Sequence, residues 1–168
     1  MQFWSCFIYL CFVGAISFFL GRLIPKSWLN PYGFPFRAFA CERNGKIYDM
    51  VGIRLWQTKV PDMSRIFKKI MPPKNLTGDI KARLPELIRE TCVAELIHFG
   101  NCIAGLYCLH IWPGVGGAVV AFLFAFVFNV PYILIQRFNR PRLIKLARRL
   151  YRDEEANAKD AEAALQTQ

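Results

Sequence analysis

No charged residue precedes Arg22, no two cysteines stand as C-x-x-C, and only two histidines occur in the chain. The first absence excludes an ordinary soluble opening segment, because an uncharged run from Met1 to Gly21 has no face to offer water. The second excludes a dithiol redox motif, and no zinc-finger spacing is present either. Cys6, Cys11, Cys92, Cys102 and Cys108 lie inside apolar runs and read as small packing residues. No internal repeat is visible.

What is present is a segregated composition. Of 168 residues, 54% are apolar and 15% aromatic, yet 20% are charged, with a net charge of +10. The basic residues flank long apolar runs, as cytoplasmic segments do beside membrane spans. Topology and anionic lipid therefore explain the charge, and no nucleic-acid partner is expected.

Three segments approach the ~20 residues that a bilayer core requires: about 3–24, 91–112 and 114–136. The first lacks the basic opening and the small-residue cleavage site of a signal peptide, and reads as a retained span. Between spans one and two, residues 25–90 carry 13 basic residues against six acids, and a second basic run follows Gln136. Both segments are expected in the cytoplasm, with the N-terminus outside and a tight outer turn at His110–Gly114. The fold class is α: a helical integral membrane protein of about three transmembrane helices, with residues 1–150 as one membrane-embedded domain in the cell membrane.

In the loop, Pro25, Pro31 and Pro35 alternate with Trp28, Tyr32, Phe34 and Phe36, the pattern of irregular chain at a membrane interface. Lys46–Trp56 is rich in β-formers and predicts a short strand. Met63, Ile66, Phe67 and Ile70 share one face of a short amphipathic helix, which can lie on anionic lipid or pack against the rest of the loop. A helix is expected to run from about Pro85 into span two. Residues 151–168 are polar and Ala-rich, without an apolar face to hold them, and predict a mobile tail.

Ionisable residues inside spans are costly and mark functional sites. Span two keeps Glu95 and His98, three apart on one helix face, with Thr91 before them and Asn101 and Gly105 after. Span three carries Asn129, Tyr132, Gln136 and then Asn139 and Arg140 at helical spacing, with Pro131 placed to kink the helix. At ~1.5 Å per residue, His98 and Asn129 each lie roughly 10 Å from the cytoplasmic ends of their antiparallel spans. The two polar strips are expected to meet at equal depth.

An imidazole can take a proton from a hydroxyl, and a carboxylate beside it can orient the ring. That assigns catalysis to His98 and Glu95. Asn101, Asn129 or Gln136 is placed to donate to an oxyanion. Arg137, Arg140 and Arg142 are placed to hold phosphate at the mouth. Two other readings stay open: a purely structural hydrogen bond between Glu95 and His98, or the start of a metal site, for which no third ligand is evident.

Ala94-Glu-Leu-Ile-His98 and the run Asn129-Val-Pro-Tyr-Ile-Leu-Ile-Gln-Arg-Phe-Asn-Arg-Pro-Arg-Leu143 resemble the glycosyl-4,4′-diaponeurosporenoate acyltransferase family. Gly45-Lys46 and Arg54-Leu-Trp56 are similar more loosely, and the likeness covers about residues 40–150. Gln57 stands where the pattern has a basic residue after the tryptophan, and the middle loop and acidic tail match poorly. The resemblance implies esterification of a glucosyl carotenoid by a fatty acyl chain. It carries over Glu95, His98, Asn129, Gln136, Arg137, Asn139, Arg140, Pro141 and Arg142, together with Arg54 and Trp56.

The expectation is thus a membrane acyltransferase that takes its acyl group from an acyl thioester and needs no cofactor. It would esterify a sugar hydroxyl of a glycolipid or glycosyl carotenoid, with Tyr132 among the residues around the acceptor. The rivals are a non-catalytic membrane subunit of a lipid- or pigment-modifying complex, and a methyl- or prenyl-group transferase.

Overall fold

The computed structural model describes residues 1–60 and 80–166, so the amphipathic helix expected at Met63–Ile70 lies outside the described residues. Helix α1 spans Gln2–Leu23. Short helical turns follow at Lys26–Trp28 and Ala40–Gly45, then α2 (Lys46–Met50) and α3 (Ile53–Trp56). Helix α4 covers Ile80–Gly105, α5 Cys108–Ile111, α6 Val115–Phe128 and α7 Val130–Gln166.

Three helical stretches are long and apolar enough to cross a membrane: Gln2–Leu23, Ile80–Ile111 and Val115–Ala156. Their outer faces are bare of protein. Phe12, Phe19, Phe122 and Phe126 are all more than half exposed, which water would penalise and lipid would not.

Helices α4 and α7 form the long antiparallel pair of the molecule. Leu84 and Ile88 bury against Ala147, with Leu143 and Leu150 alongside. Helix α1 lies antiparallel to α4. The Tyr9 hydroxyl donates to the Ala104 carbonyl at 3.0 Å near one end, and Lys26 pairs with Glu86 and Glu90 at 2.6 and 2.9 Å near the other. Helices α5 and α6 are joined by the turn at Trp112–Gly114, where Gly114 takes a φ of 93° that other residues rarely adopt. The hairpin expected at His110–Gly114 is therefore present.

Close approach explains two glycines. A Cβ on Gly105 would meet the Phe124 ring at 2.8 Å. On Gly117 it would collide with the backbone carbonyls of Trp112 and Cys108, which have nowhere to move. We expect Gly117→Ala to destabilise the α5–α6 hairpin by about 1–3 kcal/mol or more, the usual range for overpacking. Loss of detergent resistance on heating reads this directly, and unchanged resistance would contradict the close packing.

One local expectation needs correction. The predicted strand at Lys46–Trp56 is two short helices, α2 and α3, separated by Gly52 at a φ of 65°. No strand exists among the described residues to take its ladder hydrogen bonds. Instead, Tyr48, Ile53 and Trp56 turn their apolar faces onto Phe138 of α7. Beyond Leu150 the polar stretch continues α7 as helix to Gln166. Its first turn is held by Lys81, which pairs with Glu154 and lies over the Tyr151 ring.

Candidate functional site

The third apolar stretch breaks at Asn129. Pro131 has no N–H to donate to the carbonyl of residue 127, so the helical ladder cannot pass straight through. Helix α6 ends at Phe128, Asn129 leaves helical geometry (φ −127°, ψ −49°), and α7 starts at Val130. The Asn129 side chain repairs part of the damage: its Nδ2 donates to the Phe124 carbonyl at 2.9 Å. That bond has a chemical consequence. A carbonyl only accepts, so Asn129 must direct its Nδ2 there and turn its Oδ1 toward α4.

Asn129 Oδ1 meets His98 Nδ1 at 2.9 Å and Asn101 Nδ2 at 3.2 Å. An amide oxygen cannot donate, so His98 Nδ1 carries the proton, and Nε2 of the neutral ring keeps its lone pair. Asn101 is oriented in turn by Ser17 of α1, whose hydroxyl donates to Asn101 Oδ1. The relay Ser17, Asn101, Asn129 and Phe124 thus selects one histidine tautomer. Tyr132 stacks on the ring with centroids 4.5 Å apart and planes 7° from parallel, which sets its tilt.

Glu95 does not orient His98. One carboxylate oxygen accepts from Arg137 Nη1 and the other from Arg140 Nη2. Arg137 Nε also reaches Glu42 at 2.6 Å. Arg140, 2% exposed, donates through Nε to the Thr91 hydroxyl at 2.8 Å, through Nη1 to the Phe36 carbonyl at 2.6 Å, and through Nη2 to the Thr91 carbonyl at 3.0 Å. Two acids and two arginines therefore form a buried, charge-balanced block that ties the loop, α4 and α7 together. The sequence expectation paired Glu95 with His98 because they share a helix face. The stronger partners come from α7, since a buried carboxylate is stabilised most by fully charged donors.

The same block uses up Arg137 and Arg140, which were expected to hold phosphate. Of their guanidinium nitrogens, Arg137 Nη2 is the one that stays buried without a hydrogen-bond partner. Arg142 and Arg54 differ, being 40% and 64% exposed at their side chains and sharing Asp49. The Arg54 hydrogen bond holds the Asp49 carboxyl below the ordinary carboxylate range, against the opposing effect of desolvation, and Arg142 adds to the lowering. Arg142 also lies 3.4 Å from the centroid of the Phe138 ring.

These side chains line a broad cavity of about 1250 Å³ between the loop and α7, walled by Glu42, Arg137 and Arg140 on one side. Trp56 is a support rather than a lining residue: it packs at the Phe138 cluster and donates to the Val51 carbonyl at 3.3 Å. Gln136 and Asn139 lie half-buried on α7 along the face that Asn129 and Tyr132 begin. Asn139 takes part in none of the contacts above.

A family model described as glycosyl-4,4'-diaponeurosporenoate acyltransferase matches residues 25–149. The chain belongs to this family. It is 32% identical over 134 residues to the Staphylococcus aureus protein of that name from strain MRSA252, covering 79% of this chain and 80% of the relative. The strain Newman protein is 31% identical over 137 residues, covering 81% and 82%. No solved structure matches the chain. Family membership makes the protein an acyltransferase and removes the non-catalytic and methyl- or prenyl-transferase readings. The matched region contains His98, Asn101, Asn129 and the whole Glu42–Glu95–Arg137–Arg140 block, whereas Ser17 lies outside it.

Sequence reasoning missed Ser17 and Glu42. Ser17 had a signal of a kind, as a hydroxyl deep in a largely apolar span, but its partner lies 84 residues away. Glu42 looked like one more charge in a charged loop, and only its burial at 7% sets it apart.

Proposed function

We propose that the protein esterifies a sugar hydroxyl of a glycosyl carotenoid with a fatty acyl group taken from an acyl thioester, at the cytoplasmic side of the cell membrane. The observation that carries this reading is the relay that leaves His98 Nε2 as a base. The sugar hydroxyl gives its proton to His98 Nε2 as its oxygen bonds to the thioester carbonyl carbon. The tetrahedral oxyanion then collapses, the carbon–sulfur bond breaks, and the thiolate leaves with the proton returned by His98.

Asn101 and Asn129 already spend amide hydrogens on holding the ring. Gln136, one turn beyond Tyr132, is the amide best placed to donate to the oxyanion. The basic ends of the three spans support an orientation with the N-terminus outside and the loop and C-terminus in the cytoplasm. The apolar faces of the spans suit an acceptor whose carotenoid tail lies in lipid.

The test is ester formation by purified protein from an acyl thioester and a glycosyl carotenoid, in the unmodified chain and in Asn129→Ala. Without the amide acceptor both tautomers of His98 become accessible, and turnover is expected to fall by about 10²-fold, within the range of general acid–base catalysis. Turnover unchanged in Asn129→Ala would remove the relay from the mechanism.

A further inference from the structure

The cavity beside α7 has more positive charge than its acids can answer. Glu42 and Glu95 neutralise Arg137 and Arg140, and a single Asp49 serves both Arg54 and Arg142. Arg37, Lys46, Lys145 and Arg148 also line the cavity, are exposed, and have no acidic partner among the described residues. Lys145 and Arg148, three apart, present two cations from one face of α7. So many cations around one concave surface focus a positive potential that draws anions to it.

The bonds around Asp49 are graded. Arg54 grips it through two nitrogens at 2.8 and 3.2 Å, whereas Arg142 reaches it through one nitrogen only, at 3.3 and 3.4 Å. Arg142 is the guanidinium most easily drawn to a stronger acceptor, and a phosphate with several anionic oxygens is such an acceptor. At about 1250 Å³ the cavity is a broad, half-open groove with room for a large ligand.

We propose that this cavity binds the phosphate groups of a phosphopantetheine thioester, with Lys145 and Arg148 as fixed contacts and Arg142 turning from Asp49 to the phosphate. This rests on the acyltransferase reading above and names the part of the donor that the protein recognises. The block of Glu42, Glu95, Arg137 and Arg140 forms the wall between this anion site and His98, which lies about one turn beyond Glu95 on α4. With the phosphate end held at the charged end of the helices, the thioester arm has to pass over this block to reach the imidazole.

The experiment uses the full chain in lipid nanodiscs, titrated with coenzyme A and followed by calorimetry. Lys145→Ala with Arg148→Ala is expected to weaken binding about tenfold or more, and Asp49→Asn to strengthen it by releasing two guanidiniums. Binding should also weaken as salt is raised. In turnover, the double variant should raise KM for acyl-coenzyme A and for acyl-phosphopantetheine. It should leave KM unchanged for the N-acetylcysteamine thioester, which has no phosphate. A rise for acyl-coenzyme A alone places the recognised phosphates on the nucleotide rather than on the pantetheine arm, and overturns the shared-phosphopantetheine form.

Coenzyme A binding indifferent to both variants overturns the proposal. So does an effect confined to phosphatidylglycerol in the discs, which makes the cavity a head-group site. Absence of any ester from all three thioesters, with coenzyme A binding and its variant effects intact, overturns the acyltransferase mechanism and leaves the anion site standing.

Discussion

His98→Ala is expected to lower ester formation by about 10²–10⁴-fold, the contribution of a positioned general base, with the protein still inserted and folded. The fold should tolerate the change because His98 is only half-buried and makes one hydrogen bond and one ring contact. Removing the imidazole leaves the sugar hydroxyl to attack without proton transfer, while binding of both substrates is largely retained. The loss should therefore appear in kcat and not in KM. His98→Gln is a useful companion, since its amide can still donate to Asn129 but cannot act as a base. If His98→Gln turned over like the unmodified chain, the imidazole would be a packing residue and the proposed chemistry would fall.

Glu95→Gln is expected to act on stability. It leaves Arg137 and Arg140 with only Glu42 as a charged counterpart, inside a block where all four side chains are nearly buried. Breaking a buried ion pair by removing one partner costs about 3–5 kcal/mol, because the remaining charge is stranded in a poor solvent. Arg140→Met should be comparably damaging, since it also orphans the Phe36 carbonyl and leaves the Thr91 hydroxyl only its bond to the Ile88 carbonyl. Thermal denaturation in detergent measures the loss, and activity per folded molecule separates it from catalysis. Folded Glu95→Gln protein should retain kcat to within about tenfold, as the carboxylate does not touch His98. Full thermal stability with no activity would instead restore a direct pairing of acid and imidazole.

The contrast between these two residues shows how far a linear pattern reaches. Both were legible as candidates, since an acid and an imidazole three residues apart in an apolar span stand out against the cost of burying them. Their separation into a proposed base and a structural anchor was not legible. It depends on which α7 side chains come within hydrogen-bond distance, and Asn129 and Arg137 lie 31 and 42 residues from their respective partners. Asn129 was legible beside His98 because an antiparallel hairpin has a calculable register. Arg140 was not, because its partners include two backbone carbonyls that have no sequence signature.

The strand expected at Lys46–Trp56 failed for a related reason. β-propensity measures fit to a pleated, half-buried surface, and no neighbouring strand offers that surface here. Gly52 turns the chain so that its apolar residues meet Phe138 instead.

By itself the sequence determined the three apolar helices, the turn between the second and third, the break near Pro131 and the polar strip on each facing helix. These follow from local physics: hydrocarbon thickness, helical periodicity and the missing amide of proline act on neighbouring residues. Only the tertiary structure decided which partner each polar side chain takes, and so the tautomer of His98, the neutralised block around Glu95 and the cations left facing the cavity. Hydrogen bonds and ion pairs are won by the nearest adequate donor, and nearness between distant segments exists only once the helices have packed.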